Sequence, residues 1–444
     1  MSGGAMDMLA RLSALLLVSV TSIGATPPRR DSLDAIARAY VQLTLEAGER
    51  EQGYVDAYYG PPEWAAAAKR NPRTVQTLEA DARRLGARAA AIAPASLAPL
   101  ERRRRAFLIG QLNAAETRMA MAGGRRFSFD DEATGLFGVR PRLTPLADLE
   151  ASRATLDRLL PGAGTLEERA AAYRKQSIIP ADRLVTVVGA AIAECRRRTL
   201  THVPLPPSEK FTLALAKDKS WGAYNYYKGD YTSAIEVNTD RPNGIAAATD
   251  YGCHEGYPGH HVYNMLLERE MVKKRGWIEF SVYPLYSPQS LLAEGSANYG
   301  IDLAFPGAER EAYEARVLYP LAGLTAPDPA LAARIDAVNR TLSKARFAIA
   351  REYLDGRIDR PTAVALTTKY MLLPPSEASK SLTFTEQYRS YVINYGYGME
   401  LVRGAVEAAG VTPAARWAAM ARILSEPTTP AMLIAAAAAP RRRR

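Results

Sequence analysis

Histidine and cysteine are scarce in this chain of 444 residues, which contains only four histidines and two cysteines. Two cysteines are too few for a disulfide-built scaffold, an iron–sulfur protein or a cysteine-rich zinc module. Long apolar runs are also missing, since no segment beyond the N-terminus is long and apolar enough to span a bilayer. The 48% of apolar and 23% of charged residues are typical of a globular protein, and they exclude a disordered chain or a polytopic membrane protein.

The N-terminus has the pattern of a secretory signal. Arg11 precedes a short apolar core over residues 12–20, and small residues follow it. We therefore expect residues 1–25 to be a cleaved signal peptide, with an uncleaved anchor as the alternative. The mature protein is then exported, periplasmic and soluble, without a transmembrane helix. In that oxidising compartment Cys195 and Cys253 can form a disulfide, with two free buried thiols as the alternative.

The formal net charge is +10, from 57 Lys and Arg against 47 Asp and Glu. No zinc-finger, RNA-recognition or basic-zipper pattern accompanies this charge, so we expect no specific nucleic-acid partner. The arginine run at 102–105 begins an apolar-periodic helix and fits a solvated helix face. The arginine run at 441–444 leaves one further alternative, which is a basic tail that binds anionic lipid or nucleic acid.

Helical periodicity dominates the chain. Its clearest example is the apolar stripe from Leu331 to Ile349, whose members are spaced 4, 3, 4, 3 and 4 residues apart. Residues 233–238 instead alternate apolar with small or polar side chains, which predicts a strand. The proline-rich residues 203–207 mark either a domain boundary or a hinge between two lobes.

Tyrosines are concentrated around the predicted strand. Seven of the 23 tyrosines of the chain fall between Tyr224 and Tyr263. Tyrosine combines an apolar ring with a polar tip, which suits the wall of a wet cleft. A helix-packing surface is the alternative interpretation.

Three of the four histidines, His254, His260 and His261, fall within eight residues, beside Glu255. A His-Glu pair followed by a further histidine is typical of zinc hydrolases, in which two histidines on one helical face bind the metal. The metal lowers the pKa of a water molecule there, and the glutamate takes its proton.

The spacing differs from that of the standard zinc helix, because Pro258 occupies the position four residues after His254 and ligates nothing. On an ideal helix, His260 lies about 120° from the face of His254, and His261 lies two turns along it, roughly 10 Å away. Pro258 and Gly259 favour a widened turn that brings His260 beside His254. We therefore favour His260 as the ligand, with His261 as the alternative.

A catalytic zinc site needs a third protein ligand, and Glu294 is the candidate. It lies in an apolar helical setting, where an unpaired carboxylate is costly, and a buried ion pair is the alternative role. Asn298 follows four residues later on the same helix face and is a candidate for orienting a ligand. We expect one Zn²⁺ ion held by His254, His260 and Glu294.

The stretch His254–His261 resembles the H-E-x-x-P-G-H-H signature of the bacterial "domain of unknown function 885" family. Two shorter segments, Ala293–Gly295 and Tyr395–Gly398, resemble further segments of that family. The resemblance covers roughly residues 30–426. The chain departs from the family pattern at residues 262–263 and at Ser296, which affects the shape of the substrate pocket and leaves the metal and base residues intact.

The resemblance implies a mostly α, two-lobed fold similar to zinc carboxypeptidases and oligopeptidases, with a deep cleft and a small β element near residues 232–239. The N-terminal helical lobe is expected at residues 26–203, and a C-terminal helical lobe carrying the metal site at residues 204–426. Residues 427–444 are expected to form a flexible basic tail. The resemblance also implies that the strand at 233–238 is an edge strand that pairs with substrate backbone.

The function that this resemblance implies is zinc-dependent hydrolysis of short peptides, carboxypeptidase- or dipeptidase-like. Glu255 would activate the water, and Tyr395 would donate to the oxyanion. Tyr257, Asn238 and Tyr299 are the candidates for substrate contact. A non-catalytic periplasmic metal- or ligand-binding protein that retains the site is the alternative.

Three cationic residues, Arg389, Arg403 and Lys228, are further candidates for binding a substrate carboxylate. Solvation at the surface is the simpler role for each of them.

Overall fold

The computed structural model describes residues 32–219 and 221–439. The expected signal peptide at 1–25 and the arginine run at 441–444 therefore lie outside the described residues. Among the residues described, no helix is both long and apolar enough to cross a membrane.

The protein is mainly α-helical, as predicted, with 68% of the described residues in helices and only small sheets among them. The α-helices of the described residues are α1 (Leu33–Arg50), α2 (Pro62–Arg70), α3 (Val75–Ala91), α4 (Pro99–Ala122), α5 (Phe129–Phe137), α6 (Glu150–Leu159), α7 (Leu166–Lys175), α8 (Leu184–Leu200), α9 (Ile245–Asp250), α10 (His260–Leu267), α11 (Pro288–Ala304), α12 (Glu309–Tyr313), α13 (Tyr319–Ala322), α14 (Pro329–Leu342), α15 (Ala345–Leu354), α16 (Arg360–Met371), α17 (Pro375–Tyr388), α18 (Ile393–Ala408), α19 (Pro413–Ser425) and α20 (Pro430–Ala438). Shorter turns are π-helical at Tyr251–Gly256, Glu268–Lys273 and Glu314–Leu318, and 3₁₀ at Pro94–Ser96, Leu146–Leu149, Ile278–Ser281 and Arg389–Val392.

Two small sheets accompany the helices. Strand β1 (Val55–Tyr58) pairs antiparallel with β5 (Val282–Pro284). The second sheet contains β2 (Lys210–Ala216), β3 (Ala223–Gly229) and β4 (Thr232–Asn238), in the order β2-β4-β3. The predicted strand is thus confirmed as β4.

The prediction that β4 is an edge strand is wrong, because β4 is the central strand of its sheet. It runs parallel to β2 and antiparallel to β3. Gly229, Asp230 and Tyr231 all have positive φ, so they make the tight turn that folds β3 back against β4. In the described part of the chain β4 has partners on both sides, and β3 forms the border of the sheet.

The buried apolar residues of the described segments form three clusters, and each cluster contains residues from both sides of residue 203. Leu156 of α6, for example, belongs to the same cluster as Ile335 of α14. The predicted boundary at 203–204 therefore does not separate two cores. The apolar stripe that ends at Ile349 is likewise divided, because α14 ends at Leu342 and α15 begins two residues later.

Part of the predicted tail is a packed helix, so the expectation of a flexible segment is wrong for residues 430–438. Thr429 caps the start of α20, where its side chain accepts a hydrogen bond from the Met432 amide, and Pro430 occupies the first turn. Leu433 is 2% exposed. Pro430 and Leu433 are buried where the helix packs on α18, whereas residues 434–439 are exposed.

Cys195 and Cys253 are paired in a disulfide. It joins α8 to the π-turn Tyr251–Gly256, which carries the first histidine of the predicted metal site.

Candidate metal centre

The chain around His254 is not an ordinary helix. A π-turn at Tyr251–Gly256 is followed by a break, and α10 begins only at His260. A Cβ at Gly259 would overlap the backbone carbonyl of His254, so only glycine allows this close return of the chain. The break at Pro258 and Gly259 expected from the sequence is therefore present, and it brings His260 back beside His254.

Three of the predicted ligands converge. The Nε2 atoms of His254 and His260 lie 3.1 Å apart. The Oε2 atom of Glu294, from α11, lies 3.2 Å from Nε2 of His254 and 3.7 Å from Nε2 of His260. Ligand atoms of His254, His260 and Glu255 all lie within 4.8 Å of one another.

These separations fit a zinc ion. Ligand atoms placed 2.0–2.1 Å from a tetrahedral Zn²⁺ are about 3.3 Å from each other, close to the three distances between His254, His260 and Glu294. The Oε2 atom of Glu294 is also buried and accepts no hydrogen bond within the described chain. A cation bound by the two imidazoles would satisfy this oxygen, so the donor set suits the metal.

The hydroxyl of Tyr391 donates a hydrogen bond of 2.8 Å to Oε1 of Glu294, which orients the carboxylate. Sequence analysis missed this residue, although it precedes Tyr395 by four positions, a spacing that places two side chains on one side of a helical segment. Asn298, the residue predicted to orient a ligand, instead donates to the backbone carbonyl of Glu294. Its amide thus stabilises α11 and does not contact the carboxylate.

Glu255 is almost fully buried beside the histidines. Burial raises the pKa of Glu255 to about 7. The charge of His254 lowers this pKa, and the charge of Glu294 raises it further. Asn225 of β3 donates a hydrogen bond of 2.6 Å to the backbone carbonyl of Glu255, which ties the π-turn to the sheet.

A further acid that sequence analysis missed, Asp56 of β1, lines the same cavity as Glu255. Burial and the charges of Glu294 and Glu255 raise the pKa of Asp56 to about 7.

His261 does not reach the metal centre. Its Nδ1 lies 2.8 Å from the hydroxyl of Ser233, and its Nε2 lies 3.0 Å from Oε2 of Glu209. The hydroxyl of Tyr257 donates to the same Glu209 oxygen at 2.6 Å. These side chains are completely or nearly buried, so His261 and Tyr257 anchor α10 to the sheet, and neither is available to a metal or a substrate.

Asn238 and Tyr299, the other two predicted substrate contacts, also lie outside the cavity. Asn238 is 1% exposed, and its amide donates to the carbonyl groups of Lys219 and Trp221, which fixes the loop before β3. Tyr299 belongs to α11 and is buried in the hydrophobic core. Each side chain is used for packing within the fold.

The metal centre opens into a cavity of about 860 Å³. Its walls come from β1, β3, the π-turn, α10, α11, α15, α17 and α18. Tyr395, the predicted oxyanion donor, lines the cavity, and burial raises its pKa well above the ordinary value. Tyr224 and Tyr226 of β3 line it as well, so part of the tyrosine-rich stretch forms a cleft wall.

The three candidate cations are not in the cavity wall. Arg389 is paired with Glu132 at 2.6 Å, and Arg403 is paired with Asp302 at 2.7 Å. Lys228 is exposed on β3. The cavity contains a different arginine, Arg346 of α15, which sequence analysis did not single out.

The chain matches no protein-family model and no curated protein sequence. Several solved structures are similar to it, and three of them follow. A presumed lipoprotein from Colwellia psychrerythraea is 16% identical, with a TM-score of 0.50 over 88% of this chain and 75% of that one. An M32 carboxypeptidase from Deinococcus radiodurans R1 is 14% identical, with a TM-score of 0.48 over 91% and 93% of the two chains.

The third structure, a presumed lipoprotein of unknown function from Shewanella oneidensis, is 13% identical, with a TM-score of 0.48 over 84% and 75% of the two chains. One fold hosts many unrelated activities, so similarity at this level of identity bears on the fold alone. The chain shares its fold with the Colwellia psychrerythraea protein, and its chemistry must be inferred from the metal centre.

Proposed function

We propose that the protein is a zinc-dependent hydrolase of short peptides. His254, His260 and Glu294 hold one Zn²⁺ ion, and Glu255 is the general base. The observation that carries this proposal is the convergence of two histidine nitrogens on a buried carboxylate oxygen that has no hydrogen-bond donor of its own.

The side chains around the centre supply the remaining chemistry. When bound, the zinc ion acts as a Lewis acid toward the peptide carbonyl and lowers the pKa of water. Glu255 accepts a proton from the water that attacks the carbonyl carbon, and it donates that proton to the nitrogen of the leaving amine. The hydroxyl of Tyr395 donates to the carbonyl oxygen as it becomes negative. Tyr391 holds Glu294 in place throughout.

The sheet beside the metal centre supports a peptide substrate. Residues 223–226 of β3 line the cavity, and β3 borders the described sheet with β4 on one side. An extended peptide that enters the cavity can therefore form main-chain hydrogen bonds along β3, the strand that holds Glu255 through Asn225. The cavity volume lies in the range of sites for small ligands, which favours short peptides over folded proteins.

The disulfide between Cys195 and Cys253 supports the export of the protein. Such bonds persist in oxidising compartments and are rare in the cytosol.

Metal analysis combined with a Glu255→Gln variant tests the proposal. We expect about one equivalent of zinc in both proteins, because Glu255 is not a ligand in this scheme. Hydrolysis of a dipeptide and tripeptide library should fall by about 10²-fold or more in the variant. Full activity of Glu255→Gln would contradict the assigned base. Zinc binding with no hydrolysis by the unmodified protein would instead favour the non-catalytic alternative.

A further inference from the structure

Arg346 is a charged side chain in the cavity wall without an acidic partner. Its Nε atom is enclosed by protein and donates no hydrogen bond. Within residues 32–219 and 221–439, no carboxylate forms an ion pair with its guanidinium group and no carbonyl accepts from it. The side chain is partly exposed, and its enclosed Nε atom has lost contact with water without gaining a partner, which is costly for a charged group.

The contacts that Arg346 does make leave its donors available. The guanidinium carbon lies 4.9 Å from the ring centre of Phe384 and 5.9 Å from that of Tyr395. The face of an aromatic ring attracts a cation, but it accepts no hydrogen bond from the five N–H groups that lie in the plane of the guanidinium. Burial lowers the pKa of Arg346, as does the charge of Arg241, against the raising effect of Tyr395. Arg241 lines the same cavity and lies 4.0 Å from Glu377.

Tyr395 is a neighbour of both Arg346 and the metal centre. The guanidinium carbon lies 5.9 Å from the ring centre of Tyr395, and Tyr395 lines the same cavity as Glu294 and Glu255. An anion held by Arg346 therefore lies in the same cavity as the bond that Glu255 would hydrolyse. The only anionic group present in every peptide near its last peptide bond is the C-terminal carboxylate.

We propose that Arg346 binds the C-terminal carboxylate of the substrate, so that the enzyme removes the last residue of a short peptide. A guanidinium fork binds a carboxylate through two parallel hydrogen bonds, a geometry that a lysine cannot reproduce. This inference rests on the proposed function and assigns its substrate class: peptides with a free C-terminus.

The test compares two peptide sets on four proteins. The substrates are N-acetylated dipeptides with a free C-terminal carboxylate and the same dipeptides as C-terminal amides. The proteins are the unmodified enzyme, Arg346→Met, Arg346→Lys and the control Arg357→Met. Arg357 is exposed and paired with Glu352 and Asp355 outside the cavity, so its replacement removes the same charge without touching the site.

We expect the unmodified enzyme and Arg357→Met to prefer the free acids by at least about 100-fold in kcat/KM. Arg346→Met should lose about 100-fold or more on the acids and little on the amides, so that the preference disappears, while Arg346→Lys should recover part of it. Zinc content and circular dichroism establish that each variant is folded. An unchanged acid-to-amide ratio in a folded, zinc-loaded Arg346→Met protein would overturn the inference and leave the proposed function intact.

Binding separates failure of the inference from failure of the proposed function. Calorimetry with the same N-acetylated dipeptides uses zinc-loaded Glu255→Gln with and without Arg346→Met. We expect affinity for the acids to fall at least about 10-fold on loss of Arg346, and affinity for the amides to change little. If the unmodified protein hydrolyses no peptide and this binding pattern is found, the hydrolase is disproved and the carboxylate site is retained. Equal binding of acids to both proteins would disprove the site.

Discussion

Gly295 of α11 and Gly398 of α18 touch through their backbones. A Cβ at Gly295 would overlap the main chain of Gly398, and a Cβ at Gly398 would lie 2.6 Å from the carbonyl oxygen of Leu291. The contact holds the helix that carries Glu294 against the helix that carries Tyr395. The two short segments that resemble family segments are thus the two sides of one helix–helix contact beside the metal centre.

Replacement of Gly398 by alanine should damage both stability and the site. The added methyl group must push α11 and α18 apart, which costs about 1–3 kcal/mol of unfolding free energy and shifts Glu294. We expect weaker zinc binding together with lower peptidase activity, measured by metal titration and chemical denaturation. Gly189→Ala in α8 is the matched control, because nothing lies within 4 Å of its added Cβ and alanine favours a helix. Equal stability and zinc affinity of the two variants would contradict the proposed role of the contact.

Loss of the Tyr391 hydroxyl should weaken metal binding. Tyr391→Phe removes the hydrogen bond to Oε1 of Glu294 and keeps the packing of the ring. Residues that orient a metal ligand typically contribute 10–100-fold to affinity, so we expect a loss of that size in competition with a zinc chelator. Tyr370→Phe removes a similar bond to Glu150, and neither residue lines the cavity, so zinc affinity should be unchanged. A Tyr391→Phe protein with unaltered zinc affinity would show that Glu294 needs no such support.

Glu209 should make the stability of the protein depend on pH. Burial alone would raise the pKa of Glu209, but hydrogen bonds from His261, Tyr257 and Arg196 lower it to about 2. A carboxylate whose pKa is lower in the folded state stabilises the fold above its ordinary pKa of 4.5. This stabilisation is lost as the pH falls from about 4.5 through about 2.

Thermal or urea unfolding of a Glu209→Gln variant measures this contribution. At pH 7 we expect a loss of roughly 1–3 kcal/mol, because a buried hydrogen-bonded charge is removed, and the difference from the unmodified protein should shrink toward pH 2. Glu309→Gln is the control, since its exposed ion pair with Arg198 contributes little, within about 0.5 kcal/mol. A difference that stays constant from pH 7 to pH 2 would contradict the lowered pKa of Glu209.

The strand at 232–238 and the return of His260 could be predicted because both depend on neighbouring residues. Alternation of side chains indicated the strand, and Pro258 and Gly259 indicated the broken helix. The edge position was predicted wrongly, because strand order depends on where β2 and β3 lie in space. Tyr257 was predicted to contact substrate, but its hydroxyl points into the core toward Glu209. The short sequence distance between Tyr257 and His254 does not show this direction.

The residues that sequence analysis missed come from distant parts of the chain. Asp56, Asn225 and Arg346 belong to β1, β3 and α15, and no local pattern links them to the histidines. A signal for Arg346 was present, since it is flanked by Ala345 and Phe347 at the start of an apolar helical segment. An arginine between apolar residues indicates a charge in an apolar setting, but it does not identify the cavity that the charge faces.

The sequence alone determined the helical class of this protein and indicated the histidine cluster, with Glu294, as the candidate metal site. Periodicity, a proline–glycine break and the chemistry of histidine and glutamate are all properties of short segments. Only the tertiary structure decided between His260 and His261, placed Tyr391 on Glu294 and left Arg346 without a partner in the cavity. These outcomes depend on where helices and strands pack against one another, because burial and distance between remote segments are set by the complete fold.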